Sequence, residues 1–231
     1  MILWSRKFFN IINLKEIIPV VLMSLYVSLT STLIASILGM LLGIPCALLN
    51  FKLKNIIIQI NHTLMSIPPV LMGLLVYLLL SRKGPLGEFE LLFTPTAMII
   101  AQTLLIFPIV FGLSISIIMK NGKDIKNTCT TLGANRFQTF LIIIKENKIQ
   151  LLSVVTAAFG RAISEVGAVM IVGGNIKGFT RVMTTYIALE TGKGNFNEAL
   201  AIGGILLVIS FIINAILHFF KGVKVFENRG S

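Results

Sequence analysis

Arg161 and Glu165 are the residues whose type and spacing most invite chemistry, because they are the only charges between Ile149 and Ile176. Arg161 stands about ten residues into that stretch, so a helix rising about 1.5 Å per residue carries it roughly 15 Å deep. A charge at that depth in a bilayer is costly, and ionisable residues held there line a solute path or pair with one another. At a spacing of i, i+4 the two side chains share a helical face and can neutralise each other. Two readings stay open. In one, Arg161, Ser164 and Glu165 belong to a translocation path or gate; in the other, Arg161 and Glu165 form a structural ion pair that orients helices.

No pattern in the chain supports catalysis. The spacings GxxxxGK[ST], HExxH and GxSxG are missing, and the two histidines, His62 and His218, lie far apart. The glycine-rich runs Gly173 to Gly178 and Gly192 to Gly194 lack the spacing and the following Ser or Thr of a phosphate loop, and they read as turns. Cys46 and Cys129 have no CxxC partner, so they give neither a metal site nor a disulfide framework. His62 reads as a hydrogen-bonded interface residue. No cofactor is expected, and any nucleotide that drives this chain must be bound by another subunit.

A second candidate site is the polar segment from Lys120 to Gln150, about 30 residues in a chain whose other connections are mostly short. Long connections of this kind are usually functional. Within it Thr131, Leu132, Gly133 and Ala134 precede Arg136 and Phe137, so a glycine interrupts a helical pattern and an amphipathic turn follows. Two short helices joined at Gly133 would make a docking knob, while the plainer reading is a solvated connector.

The elements that position these residues follow from composition. Of 231 residues, 55% are hydrophobic and 13% charged, with a mean hydropathy of +0.92, whereas a soluble domain carries about 25% charge. Ile17 to Phe51, Asn55 to Ser81, Leu91 to Met119 and Ala199 to Phe220 are uncharged, and each exceeds the ~20 residues that cross a bilayer. With 149–176 they predict an all-α polytopic membrane protein with about five transmembrane helices. The predicted spans are 17–49, 56–81, 93–119, 150–174 and 199–220, around a cytoplasmic loop at 120–149 and an interfacial segment at 1–16, all in a single transmembrane domain. The first apolar run is too long for a cleaved leader.

Several details of the spans are also predicted. The first span is expected to bend or end near Gly43 and Pro45, since proline removes a backbone donor. Gly39 and Gly43 form a GxxxG that can mark a close helix contact. Pro68, Pro69 and Pro108 are expected to kink their helices. The mixture of Trp4, Phe8 and Phe9 with Arg6, Lys7 and Lys15 suits a helix lying at the membrane surface, and nothing in Glu227 to Ser231 suggests structure.

The net charge of +11 does not mark a nucleic-acid binder, because the basic residues sit in short connections rather than on one solvated face. Eleven of them, from Lys52 and Lys54 through Lys120 to Lys148 and on to Arg229, fall on one side of a five-span chain, and eight on the other. The richer side is read as cytoplasmic.

With those residues in place, the 120–149 loop resembles the EAA loop of the membrane subunits of bacterial ABC importers. In that loop a glycine separates two short coupling helices that insert into the ATPase. Aligning Gly133 with that glycine puts Asn127, Thr128 and Cys129 at the E-A-A positions and Ile143 at the isoleucine, with Lys145 and Glu146 replacing the usual Leu-Pro. The run Gly160 to Ile176, with Arg161, Glu165, Gly167-Ala168 and Gly173-Gly174-Asn175-Ile176, is similar to the corresponding span of oxyanion importers. Its continuation Thr180-Arg181-Val182-Met183-Thr184-Thr185 looks most like the tungstate group, and Ser66 to Gly73 resembles the proline-containing second core span.

The resemblance implies a type I importer permease, a transporter subunit rather than an enzyme, in a bacterial inner membrane. It implies two copies of this chain forming a path for a tetrahedral oxyanion, foremost tungstate, with molybdate or sulfate as alternatives. It also implies two ABC ATPase subunits that couple through Thr131, Leu132, Gly133, Ala134, Arg136 and Phe137, and an extracytoplasmic oxyanion-binding protein. A secondary carrier or a membrane scaffold are the readings outside this class.

Overall fold

The computed structural model describes residues 14–227. The surface-helix expectation for 1–16, save its last three residues, and the expectation for the last few residues, save Glu227, lie outside the described residues.

Every regular element among the described residues is a helix. In chain order they are α1 (Leu14–Leu48), α2 (Lys54–Met65), α3 (Pro69–Leu80), a 3-10 turn at Gly87–Phe89, α4 (Pro95–Thr131), α5 (Arg136–Glu146), α6 (Lys148–Ile163), α7 (Gly167–Gly173), α8 (Met183–Gly192) and α9 (Phe196–Glu227). Three stretches, Lys15–Leu48, Pro95–Thr131 and Phe196–Leu217, are long and apolar enough to cross a bilayer singly. Two pairs, α2 with α3 and α6 with α7, pass that test only together, each interrupted by a break of at most 4 residues, which brings the possible total to five.

The helix faces are sorted as lipid demands rather than as water does. Along α1 the buried positions include Ser24, Ser28, Ser31, Thr32 and Ser36, whereas Leu22, Leu29, Leu33, Ile37 and Leu41 are exposed. Apolar solvent places no penalty on exposed leucine, while hydroxyls turned inward find partners on their own helix or a neighbour. Ser24, for example, donates to the carbonyl of Val20 at 2.8 Å.

The chain divides into two compact units. One holds the described residues up to Ser31 with Pro68–Gln102 and Gly160–Asn214. Its packing is closest between α3 and α7: a Cβ on Gly73 would lie 2.7 Å from Ala168 Cα, and one on Gly167 would lie 2.7 Å from Val70 Cγ2. Val20, Met183, Tyr186 and Ile202 form a further cluster in this unit.

The other unit holds Thr32–Ile67, Thr103–Phe159 and the residues from Ala215 on. Its core gathers Ile44, Phe111, Ile115, Ile118, Ile143 and Leu151. Gly39 and Gly43 do mark a close contact, and its partner is α4 of the same chain: added Cβ atoms would lie 2.7 Å from Val110 Cγ1 and 3.0 Å from the Phe111 carbonyl oxygen.

Helix α1 ends at Leu48, close to the predicted limit of its span and just past Pro45, as membrane helices tolerate when the freed backbone groups are satisfied nearby. Local structure departs from the sequence expectations in three places. Helix α4 runs on through Pro108 and well into the segment read as a loop, ending only at Thr131. Thr128, Thr130 and Thr131 there return their hydroxyls to carbonyls one turn back, at 2.8 to 3.0 Å. His62 is exposed; its neighbour Asn61 is the buried residue, donating to the Pro108 carbonyl at 3.0 Å. Finally, α8 is a helix where only a connection was expected.

Candidate functional site

The break between α6 and α7 brings the three predicted site residues together. Arg161 Nη1 lies 3.3 Å from Glu165 Oε2, with the arginine side chain 38% exposed and the glutamate 2%. Glu165 Oε1 accepts from the Ala168 backbone N at 3.1 Å, so the carboxylate also satisfies a donor that the start of a helix leaves without an intrahelical partner. The Glu165 carbonyl accepts the Thr184 hydroxyl at 2.7 Å. Ser164 is exposed, and its hydroxyl donates to the Arg161 carbonyl at 3.2 Å. Arginine is therefore partly open and serine exposed, while the buried glutamate holds the guanidinium.

Around that anchor lies a polar network that the sequence patterns above do not single out. The Gln102 amide donates to the Ala162 carbonyl and lies 3.0 Å from the Ser31 hydroxyl, and Ser24 Oγ accepts from Met183 N at 2.7 Å. Ser24, Ser28, Gln102, Glu165 and Thr184 help line a cavity of about 10 Å³, roughly the room one water needs. The signal that could have found them is the i, i+4, i+7 spacing of hydroxyls in α1, read together with one amide in α4.

The second candidate site is a helix, a turn and a helix. Gly133 has φ +76, the left-handed conformation that lets a glycine close a helix C-terminus, and Ala134 N bonds the Cys129 carbonyl at 2.9 Å. Asn135 then starts α5: its Oδ1 accepts Gln138 N at 2.8 Å and its N donates to Gln138 Oε1 at 2.9 Å, a reciprocal capping box. The predicted break at Gly133 is present, although its first arm is the end of the 37-residue α4. Leu132 is 80% exposed and Phe137 68%. A cavity of about 540 Å³ beside the turn is lined by Pro45, Leu48, Lys126, Ala134, Arg136 and Phe140, among others.

Later in the chain, α8 and its flanking turns hold a compact polar cluster. The Glu190 carboxylate is 3% exposed and takes hydrogen bonds from Lys193 Nζ and Asn195 Nδ2, both at 2.7 Å. Those bonds hold its carboxyl below the usual range against the opposing effect of burial. Tyr186 donates to Glu198 Oε1 at 3.1 Å, and burial together with that carboxylate pushes its phenol up to about 12. Among the described residues no three His, Cys, Asp or Glu side chains are grouped to hold a metal ion.

Spans carried by long or interrupted apolar helices, hydroxyls turned inward and a capped turn displaying Leu132 and Phe137 define a multi-pass, all-α membrane protein. The chain belongs to the family of binding-protein-dependent transport system inner membrane components, whose pattern matches residues 35–222. It is 48% identical over 203 residues to the tungstate uptake system permease protein TupB of Peptoclostridium acidaminophilum, covering 88% of this chain and 89% of that one. It is 44% identical over 171 residues to TupB of Campylobacter jejuni, covering 74% and 72%. A probable anion ABC transporter permease of Haloferax volcanii is 38% identical over 210 residues, covering 89% and 90%.

The chain is thus a permease subunit with the type I ABC permease fold and not itself an enzyme. Membership implies an ATPase and a substrate-binding protein as partners.

Proposed function

We propose that two copies of this chain form the translocation path of an ATP-driven importer of a tetrahedral oxyanion, tungstate foremost. The observation that carries this reading is the shared identity, over most of the chain, with two permeases named for tungstate uptake. Molybdate and sulfate stand behind it, since more distant relatives are named for sulfate transport and, putatively, for molybdenum transport.

A doubly charged anion cannot be stripped bare in hydrocarbon, where the idealised cost for one charge is already of order 20 kcal/mol. The path therefore stays wet or polar. Arg161 offers a partly exposed guanidinium to a passing anion, and Glu165 acts as a positioning residue that fixes the guanidinium while keeping it from holding the anion too tightly. Helix breaks at Ser66–Pro68 and Ser164–Val166 give the single transmembrane domain places to repack between states open to one side and then the other.

Coupling to two ATPase subunits runs through Thr131, Leu132, Gly133, Ala134, Arg136 and Phe137 on the cytoplasmic side. Nucleotide binding then shifts the populations of the two packings.

The test is co-reconstitution in liposomes with the cognate ATPase and binding protein, measuring ATP-dependent tungstate uptake with molybdate and sulfate as competitors. Uptake that needs all three proteins and resists excess molybdate supports the reading. Uptake lost to equimolar molybdate or sulfate moves the cargo assignment, and failure to couple to the ATPase removes the proposed mechanism.

A further inference from the structure

The turn between α7 and α8 faces the first turn of α1 across a cavity of about 210 Å³ whose charged walls are Lys15, Glu16, Lys177 and Arg181, with Tyr186 at its side. Three cations meet one carboxylate there. Lys177 Nζ and Glu16 Oε1 are 2.9 Å apart, both partly open to solvent, so the carboxylate is a resident counter-ion that an incoming anion can displace. Arg181 is held in place: Nε donates to Asn175 Oδ1 at 3.2 Å and Nη2 to the Asn175 carbonyl at 3.4 Å. Its guanidinium lies 5.1 Å from the centre of the Tyr186 ring, a cation–π stack.

The turn that carries these groups is tightly tied. The backbone N–H groups of Phe179, Thr180 and Arg181 all converge on the Ile176 carbonyl, at 3.0 to 3.1 Å, and Ile176 N donates to the Thr180 hydroxyl at 3.0 Å. A site fixed before its ligand arrives loses little freedom on binding. Planar guanidinium with a neighbouring ammonium is the pairing suited to phosphate-like oxygens. Pro19, Met23 and Phe179 complete an apolar wall of the same cavity, at the point where α1 passes from charged residues to apolar ones.

We propose that this cavity is a tetrahedral-oxyanion site, in which Arg181 and Lys177 hold the anion and Glu16 yields Lys177 to it. Two sources present that chemistry: free tungstate, and the phosphate of an anionic phospholipid whose chains lie along α1. The tungstate source rests on the function proposed above. Binding is read on the permease without its ATPase, so failure of this site and failure of ATP-driven uptake are separate results.

The full-length permease in phosphatidylcholine nanodiscs is dialysed against tungstate and the bound tungsten counted. In parallel, nanodiscs of mixed phosphatidylcholine and phosphatidylglycerol are examined by native mass spectrometry for retained phosphatidylglycerol. Wild type retains one of the two ligands, and Arg181→Gln with Lys177→Gln weakens that retention about tenfold, the scale of one charge-assisted hydrogen bond. Tungsten bound in phosphatidylcholine alone identifies free oxyanion, and retained phosphatidylglycerol without tungsten identifies lipid phosphate. Glu16→Gln, which removes the competing carboxylate, tightens retention of the same ligand. Lys145→Gln, exposed on α5 and outside the cavity, leaves it unchanged. Should Arg181→Gln fail to fold, Lys177→Gln alone and Glu16→Gln carry the comparison. Equal retention by wild type, Lys177→Gln and Glu16→Gln, or no retention of either ligand, overturns the site.

Discussion

Glu165 divides its carboxylate between Arg161 and the next helix, placing Oε2 3.3 Å from the guanidinium and Oε1 3.1 Å from Ala168 N. Removing either partner therefore has unequal consequences. Arg161→Gln leaves a buried carboxylate without its cation and costs about 1 to 3 kcal/mol. Combining Arg161→Gln with Glu165→Gln keeps an amide oxygen for Ala168 N and restores part of that loss. Thermal unfolding in detergent of the two variants orders them, and a double variant less stable than Arg161→Gln contradicts the assignment. If Arg161 is the path cation proposed above, both variants also lose tungstate uptake.

The turn at Gly133, proposed above to couple to the ATPase, makes a prediction in which stability and association separate. Phe137 is 68% exposed, so Phe137→Ala shifts stability by no more than about 0.5 kcal/mol, while the ATPase retained on co-purification falls. Gly133 differs: a Cβ there meets nothing within 4 Å, yet φ is +76. Gly133→Val thus costs about 1 to 2 kcal/mol of backbone strain without a clash, and Gly133→Asn costs less. Undiminished ATPase retention by both Phe137→Ala and Gly133→Val sinks the docking role.

Helix α3 leaves no room on α7. A Cβ on Gly73 would stand 2.7 Å from Ala168 Cα and 3.1 Å from its carbonyl oxygen, and backbone cannot step aside as a flexible side chain can. Gly73→Ala is expected to destabilise by about 1 to 3 kcal/mol, the usual cost of overpacking. An unfolding midpoint equal to wild type shows that α3 and α7 shift apart at little cost.

Titration around α8 acts at both ends of the pH scale. Glu190 has a lowered carboxyl pKa because Lys193 and then Asn195 bond its charged form. Its contribution is present above the ordinary value of 4.5 and is lost as pH falls through the lowered one. Tyr186 is raised from 10.0 to about 12, so its contribution is complete below 10 and disappears as pH rises toward 12. Unfolding midpoints across pH should therefore lose their acid slope in Glu190→Gln and their alkaline slope in Tyr186→Phe. Slopes identical to wild type contradict these assignments.

Much of this was legible in the sequence because lipid imposes simple patterns. Uncharged runs of more than 20 residues gave the long helices, the i, i+4 spacing placed Arg161 beside Glu165, and Gly133 interrupting a helical pattern before an amphipathic turn marked a helix break. Other features were hidden for physical reasons. Lys120 to Thr131 reads as loop because its composition is polar, yet threonines bonding back one turn let α4 continue. Asn61 and His62 are equally polar on paper, and only the rotation of α2 decides that Asn61 reaches Pro108. The contact of Thr184 with the Glu165 carbonyl joins residues 19 apart, a pairing that no local pattern encodes. The short α8 likewise offers few residues from which to read a period.

The sorting of α1, leucine outward and hydroxyl inward, reverses the rule by which sequence change is tolerated in water-soluble helices. Its outer face, including Leu33 at 61% exposed, accepts exchange among apolar residues of almost any size, because acyl chains deform around them. The inner face, with Ser31 at 0% and Ala35 at 0%, fixes volume more tightly than polarity. Drift in this helix should therefore run freely along its greasy side and stall along its small, hydroxyl-bearing one.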